Sequence, residues 1–198
     1  MANDYEEIDL EATREASKAI RNTCIADLDL WLERFESEAT KRGGQVLWAR
    51  DGAEICRLVT EIARRHGVRK AIKSKSMLSE EAGLNAALET DGVQPVESVL
   101  SEYILQISDN EPPSHIIAPA IHKNRHDIAD LFVQKLGIRR TTDPPELTQA
   151  ARKALREKFL AADMGTSGVN MACAETGHIT TVSNEGNIRM ATTMPRVH

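Results

Sequence analysis

The length, composition and charge of the chain are those of an ordinary globular domain. Its 198 residues are 41% hydrophobic, 28% charged and 4% aromatic, so we expect an aliphatic core large enough to need no disulfide or metal. With 30 acidic against 25 basic residues the formal charge is −5, which argues against nucleic acid as a partner. No stretch is apolar enough to span a membrane, and the acidic start, with Asp4 and Glu6, does not resemble a secretory signal, so a cytoplasmic location is predicted.

The amino-terminal part predicts helices followed by a strand and another helix. Apolar residues at three- and four-residue steps favour a helix or helical pair from Tyr5 to about Arg42, ended by Gly43. A short apolar run, Gln45–Trp48, predicts a strand, and the apolar stripe from Ile55 to Ile62 predicts the next helix.

Strands and helices continue to alternate through the middle of the chain. Strands are predicted at Arg69–Lys73, Val93–Glu97 and His115–Ala118. The helices between and after them begin near Ser79 and then cover residues 99–107 and 127–136. Because such alternation produces parallel sheets, the predicted fold class is α/β, with a mainly parallel sheet flanked by helices.

The carboxyl-terminal part changes from a helix to short β segments. A helix is predicted from Pro144 to about Ala162. Two β-type stretches, Val169–Glu175 and His178–Ser183, predict a hairpin that continues the sheet. Residues 194–198 look like the approach to a further strand, so we expect the chain to stop within its fold with a sheet edge unpaired. The domains are therefore predicted as a helical extension, 1–44, and one α/β domain, 45–198.

The cysteines and histidines predict no metal site. Cys24, Cys56 and Cys173 are odd in number and far apart in sequence, and buried free thiols are their simplest interpretation. The six histidines form no HExxH motif, so no structural zinc is expected.

A run of lysines and serines follows the strand predicted at 69–73. Lys73, Ser74 and Lys75 precede a helix, and in open α/β sheets anions bind beyond the carboxyl ends of the strands. The run predicts an anion pocket, and the alternative is a solvated basic turn.

His122 follows the strand predicted at 115–118. A histidine there can exchange a proton near neutral pH, which makes it a candidate catalytic base. The alternative is an ordinary loop residue held by hydrogen bonds.

Glycine-bearing turns near the end of the chain carry further polar side chains. Short turns let a ligand approach the backbone, and the carboxylates of Glu175 and Glu185 can orient a polar substrate. Arg189 can pair with a substrate carboxylate through two hydrogen bonds. Ordinary hairpin turns are the alternative. The predicted pocket, for a small carboxylate or other anion, is lined by Lys73, Ser74, Lys75, His122, Thr166, Glu175, Glu185, Asn187 and Arg189.

The order of the motifs resembles that of the lactate-utilisation (LUD) domain family. The amino-terminal helix with Arg42, Gly43 and Gly44 is similar to that of the family's iron–sulfur subunit in particular. The resemblance is carried by Lys73–Met77, Ser79–Glu81, Gly83–Asn85, Pro113–His122, Glu157–Asp163, Glu175–Gly177, Asn184–Asn187 and Thr192–His198.

The resemblance implies a fold like that of the NagB/RpiA/CoA-transferase group. It also implies a part in a bacterial multi-protein system that oxidises L-lactate to pyruvate, with the other subunits as partners. Iron–sulfur clusters are expected only in a carboxyl-terminal region of the full-length family protein, so no cofactor is expected in this chain, and we expect it to be inactive alone.

Two other functions stay open. The domain can be a binding or assembly module without chemistry of its own. The fold group also includes CoA-transferase-like and folate cyclo-ligase-like enzymes, in which Glu175 or Glu185 would be the nucleophile and Lys73 or Lys75 a phosphate ligand.

Overall fold

The computed structural model describes residues 8–115 and 118–198. The chain forms two compact units, one of Met1–Leu47 with Met171–Thr180 and the other of Trp48–Asn170 with Thr181–His198. In chain order the elements are α1 Leu10–Ala26, α2 Leu28–Lys41, α3 Gly52–Arg65, β1 Lys70–Ser74, α4 Met77–Glu81, α5 Leu84–Thr90, β2 Gln94–Glu97, α6 Leu100–Ile107, α7 Arg125–Leu136, α8 Pro144–Ala161, β3 Met164–Ser167, β4 Met171–Ala172, β5 Ile179–Thr180 and α9 Asn187–Thr193.

The first unit consists of α1, α2 and the β4–β5 hairpin. The carboxylate of Asp9 caps α1 by accepting a hydrogen bond from the N–H of Ala12 at 2.9 Å. The helix ends at Asp27, where α2 begins, so the predicted helical pair is confirmed within the described residues. The hairpin lies directly against α2, because a Cβ added at Gly177 would collide with the backbone of Ala39.

The second unit contains a three-stranded parallel sheet in the order β2-β1-β3. Helices cover both faces of this sheet, and the predicted α/β class is confirmed. The strands predicted at 69–73 and 93–97 are β1 and β2. Lys73 in β1 is paired with Glu97 in β2 and with Thr166 in β3, so these three side chains lie on one face of the sheet.

Apolar side chains fill both sides of the sheet, and most of them are aliphatic, as the composition predicts. On the face shared by α3 and α5, Ala71 packs in one buried cluster with Leu84 and Leu88. On the other face Ile72 packs in a second cluster with Tyr103 of α6 and Phe159 of α8. Ala71 and Ile72 are adjacent in β1 and point to opposite faces of the sheet. Both are apolar, as expected for a central strand that is buried on both faces.

The helices predicted after β2 are confirmed and begin at recognisable caps. The side chain of Asn124 accepts hydrogen bonds from the first turn of α7, while that of Asp127 accepts one from the N–H of Asn124. The carboxylate of Asp143 caps α8, which starts with Pro144. In the described part of the chain, no helix is long and apolar enough to cross a membrane.

Two strand predictions fail or fall outside the described residues. Gln45–Trp48 forms no strand, because an extended segment needs a neighbouring strand to satisfy its backbone, and half of the surface of Leu47 and Trp48 is exposed, at 50% and 55%. The strand predicted at 115–118 centres on residues 116 and 117, which lie outside the described residues; His115 and Ala118 on either side form bends.

The carboxyl-terminal β predictions are partly wrong. The predicted hairpin exists, but β4 and β5 pair only with each other and form a separate sheet. The strand that does join the parallel sheet is β3, which was not predicted. An unpaired sheet edge was expected where residues 194–198 approach the sheet. Val197 instead forms a parallel bridge with Met164 of β3, so the edge is paired at that position.

Candidate functional site

The carboxyl-terminal edge of the parallel sheet is held by a buried ion pair. The Nζ of Lys73 donates to Oε1 of Glu97 at 2.8 Å, and only 2% and 8% of the two side chains are exposed. Strand register brings them together, since the two residues are paired across β1 and β2. For Lys73 the burial is incompatible with the interpretation as a solvated turn.

Neutral polar groups from two helices surround this ion pair. The Nδ2 of Asn85 in α5 donates to the same oxygen of Glu97 at 2.7 Å. The hydroxyl of Ser98 donates to the carbonyl of Lys73 at 2.6 Å, and Nδ2 of Asn187, at the start of α9, lies 3.4 Å from that hydroxyl oxygen. Asn85 therefore adds a hydrogen bond to the buried carboxylate itself, as a buried charge requires, while Ser98 and Asn187 bond the neighbouring backbone and each other.

A second ion pair joins the end of β1 to the loop before α9. Lys75 adopts a left-handed backbone with φ +49°, and its Nζ lies 3.3 Å from Oε1 of Glu185. The other carboxylate oxygen of Glu185 accepts a hydrogen bond from the N–H of Leu100, the first residue of α6, at 3.2 Å. A lysine and a helix start thus meet at one carboxylate.

A cavity of about 450 Å³ opens beside the buried ion pair and contains several carboxylates. Burial, together with the negative charges of Glu97 and Glu80, raises the pKa of Glu102 to about 7, although Lys73 and Lys75 oppose the shift. The pKa of Glu80 is also raised, chiefly by burial. The cavity is lined by Glu80, Gly83, Leu84, Asn85, Ala86, Glu97, Glu102, Leu105, Gln106, Asn110, Glu111, Pro112, Pro113 and Pro119.

His122 lies next to this cavity through its contact with Glu111. Its Nε2 is 2.7 Å from Oε1 of Glu111, and its Nδ1 is 2.6 Å from the hydroxyl oxygen of Ser114. The second carboxylate oxygen of Glu111 binds the Nζ of Lys123 at 2.5 Å. Both nitrogens of the imidazole therefore have protein partners.

A larger cavity, of about 650 Å³, lies at the other edge of the sheet. It is lined by the first residues of β1 and β2, Lys70 and Gln94, together with residues of α6, α7 and α8. The predicted polar turns follow the strand ends, not the strand starts. None of the predicted site residues lines either cavity, but two residues that line the smaller one, Glu97 and Glu111, are hydrogen-bonded to the predicted residues Lys73 and His122. We therefore assign the candidate site to the smaller, carboxylate-lined cavity.

The structure brings several predicted site residues to the carboxyl-terminal edge. Lys73, Lys75, Glu185 and Asn187 make the contacts given above. The hydroxyl oxygens of Ser74 and Thr166 are buried in the neighbouring strands and have no hydrogen-bond partner among the described residues. Both hydroxyl groups lie at the carboxyl-terminal edge of the sheet, because Ser74 is the last residue of β1 and Thr166 is paired with Lys73.

The remaining two predicted residues are exposed. Arg189 lies in α9 with its side chain at the surface. Glu175 belongs to the first unit, in the turn between β4 and β5, and is also exposed. Their predicted roles stay predictions.

Sequence reasoning missed most of the carboxylates around the cavity. Glu97 ends a predicted strand and could have been found by aligning the ends of β1 and β2. Glu102 gave a weaker signal, because a glutamate in the first turn of a helix usually complements the helix dipole at the surface. Glu80 lies in the stretch Ser79–Glu81 that carries the family resemblance and was not predicted to line a site. Glu111 precedes two prolines and carries no motif.

The cysteines do not fit an iron–sulfur cluster, which is usually held by four cysteine thiolates. The prediction that all three are buried is wrong, since Cys24 and Cys173 are exposed and Cys56 is partly buried. The thiol of Cys56 bonds the carbonyl of Ala82 at 3.1 Å, whereas the other two belong to the first unit. Within residues 8–115 and 118–198, no group of three or more His, Cys, Asp or Glu side chains is placed to hold a metal ion.

Comparison with known proteins gives one consistent family. Three relatives are each named Lactate utilization protein B: those of Bacillus licheniformis and Bacillus thuringiensis are 45% identical, and that of a Geobacillus species is 44% identical, over 186 residues. The alignments cover 94% of this chain but 39% of each relative. No solved structure matches the chain. The model of the LUD domain matches residues 32–198, and the chain therefore belongs to the LUD domain family.

Proposed function

We propose that this domain takes part in the oxidation of L-lactate to pyruvate, as one component of a multi-protein system in the cytoplasm. The names of its relatives support a role in lactate utilisation. The chain spans about 39% of their length. Its proposed part is therefore to bind lactate and to accept a proton, whereas the complete reaction needs the full assembly.

The observation that carries the proposal is the carboxylate position between Lys75 and the start of α6. The carboxylate of Glu185 occupies it, with contacts of 3.3 Å to the ammonium and 3.2 Å to the N–H of Leu100. These are the two kinds of donor that recognise a small carboxylate. The side chains of Lys75 and Glu185 are 26% and 35% exposed, so the carboxylate group of lactate can replace that of Glu185.

Glu102 is the candidate acid–base group for the same reaction. It lies in the first turn of α6, close to the carboxylate position at the start of that helix, and its pKa of about 7 gives both protonation states at neutral pH. Oxidation of lactate to pyruvate breaks the O–H bond and the C2–H bond. Glu102 accepts the proton of the 2-hydroxyl group, and the hydrogen on C2 leaves together with both electrons, as a hydride, to the electron acceptor. The electrons leave to a redox group outside residues 1–198, because the cysteines of this chain do not fit a cluster.

The proposed partners and cofactors are those that the electron-transfer part of the reaction needs. The iron–sulfur clusters expected from the family resemblance are assigned to the carboxyl-terminal region of the longer family proteins, and the other subunits of the system are the expected partners. Arg189, exposed in α9, is the candidate for a second contact with the substrate carboxylate.

Calorimetric titration of the chain with L-lactate tests the carboxylate position. We expect Lys75→Met to weaken binding at least about tenfold, since it removes a charge-assisted hydrogen bond. Glu185→Gln should strengthen binding, because a neutral side chain competes less well. Lys153→Met, on the exposed surface of α8, is the matched control and should bind as the wild type does. Equal binding by the Lys75 variant and the wild type would show that the carboxylate position is wrong.

Turnover in the complete system distinguishes catalysis from simple binding. Glu102→Gln keeps the size of the side chain but cannot accept the proton, so the assembled system should lose lactate oxidation at least about a hundredfold. Full turnover with that variant, together with normal lactate binding, would instead identify the domain as a binding or assembly module.

A further inference from the structure

The loop between α6 and α7 places a hydroxyl, an imidazole and a carboxylate in one line of hydrogen bonds. The hydroxyl oxygen of Ser114 is 2.6 Å from Nδ1 of His122, and Nε2 of the same ring is 2.7 Å from Oε1 of Glu111. All three residues lie within a stretch of twelve positions, 111–122. A serine activated by a histidine that is itself oriented by a carboxylate is the arrangement of serine hydrolases, although here the serine faces Nδ1 and the carboxylate Nε2, the reverse of the usual assignment of the two ring nitrogens.

The tautomer of His122 follows from its partners. An ionised carboxylate only accepts hydrogen bonds, so Nε2 must carry the hydrogen that is donated to Glu111. Nδ1 then has a free electron pair that is available to accept the hydrogen of the Ser114 hydroxyl. Because both ring nitrogens are occupied, the proton that His122 is placed to remove is that of Ser114, not that of a substrate.

Glu111 is held ionised by its neighbours. Hydrogen bonds from Lys123 and then from His122 lower its pKa. The carboxylate can therefore stabilise the imidazolium that forms when His122 takes up a proton. Lys123 acts here only through Glu111 and is a positioning residue.

We propose that Ser114, His122 and Glu111 form a nucleophilic relay that takes the acyl group of a small activated ester or thioester. This activity is independent of the proposed role in lactate oxidation. The acyl group has room beside the relay, because Glu111, Pro113 and Pro119 line the cavity of about 450 Å³.

The chemical step balances without any redox partner. The oxygen of Ser114 attacks the acyl carbon while His122 takes the hydroxyl proton. The bond from the acyl carbon to the leaving alcohol or thiol then breaks, and His122 returns the proton to the leaving group. Water hydrolyses the serine ester by the same route, which restores the free hydroxyl.

The backbone around Ser114 holds the hydroxyl in place. The N–H of Ser114 donates to the carbonyl of Pro119 at 3.0 Å, and the hydroxyl oxygen lies 3.1 Å from that same carbonyl. The hydroxyl hydrogen can therefore point either to Pro119 or to His122. Only the orientation towards His122 activates the serine as a nucleophile. The rate at which Ser114 is modified therefore shows whether that orientation is populated.

A fluorophosphonate probe, with peptide mapping by mass spectrometry, tests the proposal on the whole chain. We expect an adduct on Ser114 that forms much faster than any adduct on Ser17, an exposed serine of α1. Ser114→Ala should abolish the fast reaction and Ser17→Ala should leave it unchanged. His122→Gln should slow the labelling at least about a hundredfold and Glu111→Gln at least about tenfold.

Circular dichroism and urea unfolding show whether each variant is folded, and Lys123→Met provides a second, milder variant that should slow labelling by less than Glu111→Gln. Labelling of Ser114 no faster than that of Ser17, or unchanged labelling in a folded His122→Gln, would overturn the relay. Lactate is absent from this experiment, so its outcome is independent of the lactate-binding tests.

Discussion

Lys73 and Glu97 stand opposite each other on neighbouring parallel strands and form an ion pair with 2% and 8% of their side chains exposed. Two charges at this depth are costly to remove from water, and their mutual attraction compensates only while both are present. The pair therefore makes the carboxyl-terminal edge of the sheet sensitive to single substitutions.

Lys73→Met should destabilise the protein by about 3–5 kcal/mol, because it leaves the Glu97 carboxylate buried without its counter-charge. Urea unfolding followed by circular dichroism measures the loss. The exposed pair Arg140 and Asp130, with 52% and 65% of the side chains exposed, is the matched control, and Arg140→Ala should cost far less stability than Lys73→Met, because water screens an exposed pair. The double variant Lys73→Met/Glu97→Leu should recover much of the loss, and equal effects for the two pairs would contradict the buried assignment.

The raised pKa of Glu102 makes the stability depend on pH. The folded protein holds the proton of Glu102 up to a pKa of about 7, whereas the unfolded chain releases it near the ordinary value of 4.5. Between these values the folded state binds more protons, so this contribution to stability is complete below pH 4.5 and is lost as the pH rises towards 7. Partial exposure limits the effect to about 1–2 kcal/mol.

Urea unfolding of the wild type and Glu102→Gln at several pH values isolates that contribution. The wild type should lose more stability than the variant between pH 5 and 7, and the two curves should run parallel above pH 8. Glu80, whose pKa is also raised by burial, interacts with Glu102, so the comparison is made with Glu80→Gln present in both proteins. Parallel curves over the whole range would show that Glu102 has an ordinary pKa.

Gly165 in β3 has no space for a side chain. A Cβ at this position would collide with the backbone carbonyl of Ala191 in α9, so Gly165→Ala should destabilise the protein by about 2–3 kcal/mol or more, as overpacking does. Gly137 provides a control for backbone strain alone, because it has φ +66° with nothing near its Cβ position. Gly137→Ala should cost about 1–2 kcal/mol, and a smaller loss in thermal stability for Gly165→Ala than for this control would be the contrary result.

The capping box of α7 should contribute measurably to stability. The Oδ1 of Asn124 accepts hydrogen bonds from the N–H groups of His126 at 2.8 Å and Asp127 at 3.2 Å. Asn124→Ala should therefore cost about 1 kcal/mol, while Asn124→Asp should be nearly neutral, because an aspartate caps equally well. Denaturant titration of the two variants compares them directly, and equal losses would show that the side chain does not act as a cap.

Periodicity and turn chemistry were enough to predict most of the second unit. The strands β1 and β2 and the helices α6, α7 and α8 carry apolar residues at the spacing of their secondary structure, with caps such as Asp143 at their starts. The strand β3 escaped prediction because Met164–Ser167 is short and contains Gly165, whose role is to let α9 approach. That requirement is tertiary, and no local pattern expresses it.

The candidate site was predicted only in part, because local sequence patterns do not show which distant segments come into contact. Lys73 and Lys75 were found because a basic run follows a strand. Their partners Glu97 and Glu185 come from segments 24 and 110 residues away, and sequence spacing does not reveal which carboxylate meets which lysine. His122 was found by its position, but its partners were not, because Ser114 and Glu111 belong to no familiar motif.

The central position of β1 has a consequence for the order in which the chain folds during synthesis. Its first backbone N–H groups are bonded by the carboxylate of Asp163, which follows Arg69 by 94 residues and Lys70 by 93. The β1–β2 pairing is local and can form as soon as residue 97 has left the ribosome, whereas β3 can join the sheet only after residue 167 has emerged. Sheet completion is therefore a late event, and until then β1 exposes one edge to other newly made chains and to chaperones.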